Sequence, residues 1–207
     1  MNTYLEENRI KGAILLLAAG SSSRLGFPKA LVKFHQKKLI QHLLEEFNKV
    51  FNADTFVVTG CHHDEVIPFI SSNVSIVYNN HWQQGMGKSI AKGIAEIIRR
   101  EYEYVIICMV DQPFVNAHLL NLMVEFFQAG FCKIIFTDYG KQTGPPVLFG
   151  KQYFNRLIEL KGDSGAKDII TANKSDTFGI HYPLAKVDLD TESDVNDFYR
   201  KVWEEEL

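Results

Sequence analysis

The feature that most constrains the fold of this chain is the alternation of short apolar runs with amphipathic segments. Four runs rich in valine, isoleucine and leucine cover residues 12–19, 55–60, 74–79 and 104–110. Apolar residues recur at helical spacing over residues 38–51, 87–100 and 118–130. Continuous apolar runs are typical of strands that are buried on both faces. The alternation therefore predicts βαβ units around a mostly parallel sheet, which is an α/β fold.

The pattern becomes looser after residue 130. It predicts further strands at 132–138, 146–150 and 177–184, and further helices at 151–160, at 165–173 and from 192 onwards. Thr191 is a predicted N-cap of the last helix, and Gly130 is a predicted C-cap of the helix before it. No internal repeat, low-complexity tract or linker divides the chain. The sequence therefore predicts one domain over residues 1–207, with residues 1–11 as a flexible leader.

The composition argues against several classes of partner. With 22 basic and 25 acidic residues, the formal net charge of -3 gives no electrostatic reason to expect nucleic acid or a membrane surface. The opening residues are polar and acidic, unlike a secretion signal, and the first apolar run is too short to cross a bilayer. Cys61, Cys108 and Cys132 are widely separated, and Cys108 is predicted to be a buried, reduced thiol. These features predict a cytoplasmic protein.

The stretch LLLAAGSSSRLGFPK, residues 15–29, follows directly from the first predicted strand. In an open α/β sheet, ligands bind outside the carboxyl ends of the strands, so this stretch stands in the right place for a binding loop. Residues 18–22 are all small, which lets the backbone approach a ligand and direct its amide hydrogens at phosphate oxygens. Arg24 and Lys29 add two cations. The stretch predicts a polyphosphate site; the alternative is an ordinary polar loop with solvated cations.

Other segments of the sequence do not match the known motifs for dinucleotide, P-loop or metal sites. The dinucleotide fingerprint G-x-G-x-x-G is absent, and WQQGMGKS has Trp82 where a P-loop needs its first glycine. Trp82 is a candidate either for a pterin or base site or for the core. The adjacent pair His62 and His63 has no metal-ligand spacing, because neighbouring residues point in different directions. A loop or a helix start is the interpretation that we favour for this pair.

The segment LAAGSSSRLGFPK resembles the signature of nucleotidyltransferases with a glycosyltransferase-A-like fold, L-A-A-G-x-S-x-R-x-G followed by P-K. Further segments resemble those of the molybdenum cofactor cytidylyltransferases: GMGKSI, DQPFV, GPPVLF, GDSGAK and DLDTESD. The resemblance implies a Rossmann-like, three-layer sandwich with a mostly parallel mixed sheet. It also implies Mg²⁺-dependent transfer of CMP from CTP to the terminal phosphate of a molybdopterin-type cofactor, with release of pyrophosphate.

Two aspartates are the predicted metal ligands. Asp111 ends the apolar strand YVIICMV, which places a carboxylate at the carboxyl edge of the sheet, where Mg²⁺ is held by carboxylates and substrate phosphates. The alternative for Asp111 is an aspartate at the start of the next helix. The resemblance implies Asp190 as the second ligand, and Asp188, two residues away, stays open as a substitute for it. Asp194 is predicted to cap a helix or to lie on the surface.

The resemblance also implies the nucleotide-binding residues. The backbone at Ala18, Ala19 and Gly20 would meet the base and ribose. Ser22 and Arg24 would hold the β- and γ-phosphates, and Lys29 the α-phosphate, so Arg24, Lys29 and Asp111 are the predicted catalytic residues. Gly85 of GMGKSI is a further predicted nucleotide-binding residue, and Ser89 of the same segment would contact the base, although Ser89 could instead cap a helix. The L-A-A-G form, rather than the L-A-G-G form of guanylyltransferases, favours CTP.

Two other functions stay open at this point. One is cytidylyl or uridylyl transfer to a small sugar or polyol phosphate, as in enzymes that share the first motif. The other is a non-catalytic nucleotide- or cofactor-binding chaperone for the assembly of molybdoenzymes. A recipient molybdoenzyme or its chaperone is a further candidate partner under the main interpretation.

Overall fold

The computed structural model describes residues 10–130, 132–163 and 165–204, with backbone alone for 201–204. Its strands are β1 (Gly12–Ala18), β2 (Lys33–Phe34), β3 (Lys37–Lys38), β4 (Ala53–Thr59), β5 (Ser75–Tyr78), β6 (Tyr104–Met109), β7 (Ile134–Asp138), β8 (Thr143–Gly150) and β9 (Thr177–His181). Its α-helices are α1 (Leu39–Phe47), α2 (His63–Val66), α3 (Met86–Ile97), α4 (Ala117–Gln128), α5 (Phe154–Ile158), α6 (Lys167–Ala172) and α7 (Glu192–Glu204). Each predicted strand and helix overlaps one of these elements. The short hairpin β2–β3 and the single turn α2 were not predicted.

Seven strands form one sheet in the order β5-β4-β1-β6-β8-β7-β9, and β2 pairs with β3 separately. All neighbouring pairs in the large sheet are parallel except the two that involve β8, which runs antiparallel to β6 and β7. The predicted mostly parallel mixed sheet is therefore confirmed.

The order of the strands reverses at the centre of the sheet. From β1 the chain proceeds to β4 and β5 on one side, and it then returns to place β6 on the other side of β1. The loops that follow β1 and β6 therefore leave the same edge and diverge, which opens a crevice at the carboxyl ends of these strands.

Helices cover both faces of the sheet. All seven residues of β1 are buried, and they alternate between two apolar clusters. Ile14 and Leu16 pack in the cluster that contains the buried faces of α1, α4 and α7. Leu15 and Leu17 pack in the cluster of α3, α5 and α6. This arrangement is the predicted three-layer α/β sandwich.

The predicted helix ends are also in place. Thr191 precedes α7, and its Oγ accepts a hydrogen bond from the Asp194 N–H at 3.2 Å, while the Asp194 carboxylate accepts one from the Thr191 N–H at 2.7 Å. Gly130 follows α4 with a positive φ of 80°. The reciprocal bonds form a capping box, and the left-handed glycine is a common helix end.

The prediction of a single domain with a flexible leader stays a prediction, and residues 1–9 of that leader lie outside the described residues. Within the described part of the chain, we find no helix with the length and apolar character needed to cross a bilayer.

Candidate active site

Three adjoining cavities occupy the crevice between β1 and β6, and Leu17 and Met109 line all three. The loop cavity, of about 230 Å³, lies against residues 20–24. The α3 cavity, of about 310 Å³, lies between that loop and the start of α3. The β8 cavity, of about 480 Å³, lies against β8, α6 and residues 188–190. Together they provide neighbouring spaces for more than one ligand group.

The loop after β1 is folded back on itself. Ser22 has a φ of 51°, and its carbonyl accepts hydrogen bonds from the N–H groups of Leu25 and Gly26 at 2.9 and 3.0 Å. The Ser22 Oγ accepts a third from the Lys29 N–H at 3.1 Å. Among the bonds of the described residues, the N–H groups of 20–24 have no acceptor. A run of free amide hydrogens at a strand end forms a concavity suited to an anion.

Four charged residues that were predicted as site residues meet at the edge of this loop. The Lys29 ammonium donates to Asp111 Oδ2 at 3.0 Å and also bonds Asp190 Oδ1, while the Arg24 guanidinium lies 3.0 Å from Asp190 Oδ2. Lys29 and Asp111 are mostly shielded, with 15% and 16% of their side chains exposed, whereas 72% of Arg24 is exposed. Arg24 is therefore free to turn towards a ligand at little cost.

The two carboxylates come from distant parts of the chain. Asp111 follows β6, and Asp190 precedes α7. A hydrogen bond of 3.0 Å from the Leu189 N–H to the Asp111 carbonyl joins the two segments. The predicted proximity of Asp111 and Asp190 thus follows from backbone pairing as well as from the shared lysine.

The charged groups of this cluster shift the pKa values of Lys29 and Asp188. Burial by itself would lower the pKa of Lys29, but the Asp111 carboxylate and then Asp190 raise it, so this lysine is charged. The pKa of Asp188 is raised to about 6, first by loss of hydration and then by the negative charges of Asp111 and Asp190. Asp188, which lines the β8 cavity, is therefore close enough to both predicted metal ligands for their charges to raise its pKa.

The arrangement of Asp111 and Asp190 fits a shared cation. Since one ammonium bonds an oxygen of each, these oxygens lie at most about 6 Å apart, twice the length of an ordinary hydrogen bond. The described residues contain no group of three or more His, Cys, Asp and Glu side chains that could hold a metal by themselves. A metal here would complete its coordination with water and substrate phosphates, as Mg²⁺ usually does.

Two of the alternatives left open for the aspartates can be resolved. Asp111 does not cap a helix, because α4 begins at Ala117 and the Asn116 side chain accepts from the Leu119 N–H at 3.1 Å. Asp194 does cap α7, and it also accepts from the Asp190 N–H at 3.1 Å, which holds the backbone of the candidate ligand. Asp188 faces the same region and stays open as a substitute for Asp190.

The α3 cavity contains the residues predicted to meet the base. Ala19 and Gly20 line one wall, and Gly85 and Ser89 line the other; Ala18 lies in the adjoining loop cavity. Ser89 is not a cap, because Gly85 is the N-cap of α3 and Ser89 lies inside the helix. Its contact with a base stays a prediction.

Other contacts in this cavity were not foreseen. The buried Ser89 Oγ accepts a hydrogen bond from the Asn79 side-chain amide at 3.0 Å. Trp82 packs against the core and also lines the cavity, and its contact with a pterin or a base stays a prediction. Asn79 carries no local signal in the sequence, because its partner lies ten residues away on another element.

Gly85 connects the GMGKSI and GDSGAK segments. Its φ is 94°, and a Cβ at this position would lie 2.3 Å from the Gly162 carbonyl carbon. The Gly87 N–H donates to that same carbonyl at 2.8 Å. Only glycine can adopt this φ and also allow the close approach to Gly162. Gly85 therefore shapes the wall of the α3 cavity. Ser164 of the second segment lies outside the described residues.

The β8 cavity is held together by Gln112, whose role was not predicted although DQPFV was recognised. Gln112 is 2% exposed, and its side-chain nitrogen, which carries two hydrogens, lies within hydrogen-bonding distance of three acceptors: the Tyr139 hydroxyl at 2.9 Å and the carbonyls of Pro145 and Ala185 at 3.1 and 2.6 Å. These partners belong to β8, to the turn before it and to the segment that leads to Asp188. One buried amide thus fixes three walls of the cavity.

The histidine pair lies at a helix start, one of the two locations favoured for it from the sequence, with His62 directly before α2 and His63 as its first residue. Their rings diverge. His63 Nδ1 lies 2.7 Å from Thr59 Oγ1, whereas His62 lines the loop cavity.

Comparison with known proteins identifies the family. Residues 14–177 match the model of the MobA-like NTP transferase domain, which covers most of the chain. The chain belongs to this family. Two curated relatives, from Methanosarcina acetivorans and Natranaerobius thermophilus, are each named probable molybdenum cofactor guanylyltransferase. They are 29% and 27% identical over 59% and 54% of this chain, and the matches span 56% and 52% of the relatives' own lengths.

Solved structures agree on the fold. The crystal structure of Rv0371c from Mycobacterium tuberculosis superimposes with a TM-score of 0.79 at 21% identity, over 95% of this chain and 99% of that one. A second structure of that protein, in complex with manganese, gives a TM-score of 0.73 at 19% identity, over 94% and 98% of the two chains. These likenesses establish the α/β fold of this MobA-like domain.

Proposed function

We propose that this MobA-like domain transfers CMP from CTP to the terminal phosphate of a molybdopterin-type cofactor, with a divalent cation such as Mg²⁺, and releases pyrophosphate. The observation that carries the proposal is the meeting of Arg24, Lys29, Asp111 and Asp190 at the cavities between β1 and β6. Asp111 and Asp190 line both the loop cavity and the β8 cavity. Catalysis of phosphoryl transfer depends more on charges held at fixed positions than on an acid–base pair.

The loop cavity would receive the triphosphate. The free N–H groups of residues 20–24 suit its oxygens, and the exposed Arg24 can reach the β- and γ-phosphates. Ala18, Ala19, Gly20 and Ser22 would bring the backbone close to the nucleotide. The base would enter the α3 cavity beside Gly85 and Ser89.

Asp111 and Asp190 would hold the divalent cation. Bound there, the cation would neutralise triphosphate oxygens and polarise the α-phosphate. Lys29 would then exchange a carboxylate contact for an α-phosphate oxygen, where its charge opposes the negative charge that develops during transfer.

The β8 cavity would receive the acceptor. Its volume of about 480 Å³ lies within the usual range for sites of small molecules, about 300–1,000 Å³. An oxygen of the acceptor's phosphate monoester attacks the α-phosphorus and forms a new P–O bond. The bond from that phosphorus to the pyrophosphate oxygen breaks, and pyrophosphate leaves with the electron pair.

The choice of CTP rests on the L-A-A-G form of the loop. The curated relatives are named as guanylyltransferases, which makes GTP the specific competitor to test. We expect CTP to be favoured over GTP at least tenfold in kcat/KM, equivalent to about 1.4 kcal/mol. Equal rates or a preference for GTP would overturn the assignment of the base and leave nucleotidyl transfer in place.

The test is the release of pyrophosphate from each of the four nucleoside triphosphates, with Mg²⁺ or Mn²⁺, in the presence of molybdopterin, of a sugar phosphate, or of no acceptor. We expect release that requires both the metal and molybdopterin. Lys29→Ala should lower kcat about a hundredfold or more, whereas Lys37→Ala, which removes an exposed lysine that pairs with Glu45, should leave kcat unchanged. Release with sugar phosphate alone would contradict the proposed acceptor, and binding without turnover would favour a chaperone.

A further inference from the structure

His62 is held between two hydrogen-bond acceptors at the wall of the loop cavity. Its Nε2 lies 2.9 Å from the Ser21 carbonyl oxygen, and its Nδ1 lies 2.7 Å from Glu65 Oε1. A carbonyl and a carboxylate can only accept hydrogen bonds, and a neutral imidazole carries a single N–H. Both contacts are therefore hydrogen bonds at once only when His62 is an imidazolium.

The surroundings of His62 support the charged form. Burial by itself would lower the pKa of His62, but the Ser21 carbonyl and then the Glu65 carboxylate raise it above the ordinary value. Only about a fifth of the side chain is exposed. Glu65 from α2 is the charged group in contact with the ring. The other charged residues of the same cavity are Arg24, Lys29, Asp111 and Asp190.

The contact with Ser21 determines the orientation of a peptide group in the loop. In a trans peptide, the carbonyl of one residue and the N–H of the next point in opposite directions. The bond from His62 therefore directs the Ser22 N–H away from the histidine. Ser22 lines the loop cavity, has a φ of 51°, and its N–H has no acceptor among the described residues. The histidine thus holds one of the free donors that the triphosphate would use.

We propose that the imidazolium of His62 is a positioning group for the nucleotide: it anchors the Ser21 carbonyl, orients the Ser22 N–H, and makes nucleotide affinity fall as His62 loses its proton. This inference rests on the proposed use of the loop cavity for a nucleoside triphosphate. Above the pKa of His62 one of the two hydrogen bonds is lost, and with it one positive charge beside the cavity. Affinity should therefore be highest below that pKa and should decline as pH rises through it.

The test is the dissociation constant of the Mg²⁺ complex of CTP, measured by calorimetry without acceptor from about pH 5.5 to 8.5, with GTP in parallel. His62→Gln keeps an amide donor for the Ser21 carbonyl and carries no charge, whereas His62→Ala has neither. We expect wild-type affinity to exceed that of His62→Ala by about tenfold at low pH, with the gap narrowing at high pH. His62→Gln should lie between them, and its ratio to His62→Ala should not depend on pH. Each ratio is taken at one pH, so ionisation of the nucleotide cancels.

A second readout comes from the histidine itself. If the protonated form binds nucleotide tenfold more tightly, the nucleotide must raise the pKa of His62 by about one unit, which NMR titration of the ring can follow. Glu65→Gln should shift the affinity profile to lower pH, since it removes the carboxylate that stabilises the imidazolium. Wild type and His62→Ala with the same affinity at every pH, or no change in the pKa on binding, would overturn this role. Failure of the wild type to bind any nucleoside triphosphate would instead overturn the proposed function.

Discussion

The loop cavity and the β8 cavity adjoin each other, yet the chain builds them in different ways. Most of the loop cavity comes from one stretch, residues 17–30, whose turn is closed by its own backbone hydrogen bonds. The β8 cavity draws on β1, α3, β6, β8, α6 and residues 188–190. The first region is a local structure with concentrated charge, and the second depends on long-range packing.

This difference suggests that the loop cavity suits the nucleotide and that the β8 cavity suits the acceptor. A triphosphate needs amide hydrogens and cations at fixed positions, which a short folded loop can supply. An acceptor needs a shaped space, and the shape depends on every wall of the β8 cavity. Substitutions in the loop should therefore affect binding of the nucleotide and the chemical step, whereas substitutions at Gln112 should affect the acceptor and the fold together.

The largest expected effect is at the boundary between the two cavities. Asp111→Asn should lower kcat by about a hundredfold to a thousandfold, because a carboxylate for the metal and for Lys29 is lost. The free energy of unfolding should change by less than about 0.5 kcal/mol, because asparagine can still accept from Lys29 and repulsion with the other carboxylates is relieved. Pyrophosphate release and urea denaturation measure the two quantities.

Asn116→Ala is the matched control for Asp111→Asn, since it removes a helix cap five residues further along the same segment. It should cost about 1 kcal/mol of stability and leave kcat near the wild-type value. The assignment of Asp111 to the chemistry would fail if both variants lost stability equally and Asp111→Asn retained activity.

Gly20→Ala tests how closely the nucleotide approaches the loop. Apart from the two chain neighbours of Gly20, no described residue would lie within 4 Å of a Cβ at this position, so the melting temperature should not fall. If the backbone lies against the nucleotide, the added methyl group should raise the KM for nucleotide about tenfold. Gly130→Ala is the contrasting variant: its site is equally open, but its φ of 80° should cost about 1–2 kcal/mol of stability without affecting KM. An unchanged KM in Gly20→Ala would place the nucleotide away from this residue.

Substitutions in the walls of the β8 cavity should affect binding of the acceptor rather than binding of the nucleotide. Gln112→Leu removes the amide donor of the Ala185 and Pro145 carbonyls. Because Pro145 keeps its hydrogen bond from the Tyr139 hydroxyl, the cost of about 1–3 kcal/mol comes mainly from the Ala185 carbonyl. With its walls loosened, the cavity should show a several-fold higher KM for the acceptor, while nucleotide affinity stays at the wild-type value. Tyr139→Phe, which removes one hydroxyl from the same cluster, should show a smaller change in the same direction. A loss of nucleotide affinity in Gln112→Leu would mean that the two regions are not independent.

The same contrast explains what could be predicted from the sequence. The loop after β1 is contiguous, so its small residues, Arg24 and Lys29 could be predicted as a phosphate site from their order alone. Asp111 could be predicted as a metal ligand because it ends an apolar strand. The strands and helices followed from apolar periodicity, since the buried faces of a sheet leave a regular pattern.

Features that depend on tertiary contacts were not predictable. Gln112 bonds residues 27, 33 and 73 positions away, and nothing near it in the sequence indicates those partners. The antiparallel direction of β8 follows from a short turn after β7, which the apolar pattern does not reveal. His62 was interpreted from the sequence as part of a loop or a helix start, and only the fold brings its ring to the Ser21 carbonyl, 41 residues away in the chain.

The smallest expected effect is at Asp194, which holds the end of the segment that carries Asp190. The Asp194 carboxylate accepts from the N–H groups of Asp190 and Thr191 and from the Thr191 hydroxyl. The bonds from Thr191 hold the pKa of Asp194 below its ordinary value, so the carboxylate stabilises the fold at neutral pH and loses this contribution as pH falls through the lowered pKa. Asp194→Asn should therefore be less stable by about 0.5–1 kcal/mol near pH 7, and this gap in the free energy of unfolding should shrink as the pH falls through the lowered pKa of Asp194. Urea denaturation at neutral and at acidic pH measures the gap. A gap of the same size in acid would show that the charge of Asp194 does not stabilise the cap, and that Asp190 is positioned mainly by its contacts with Lys29 and Arg24.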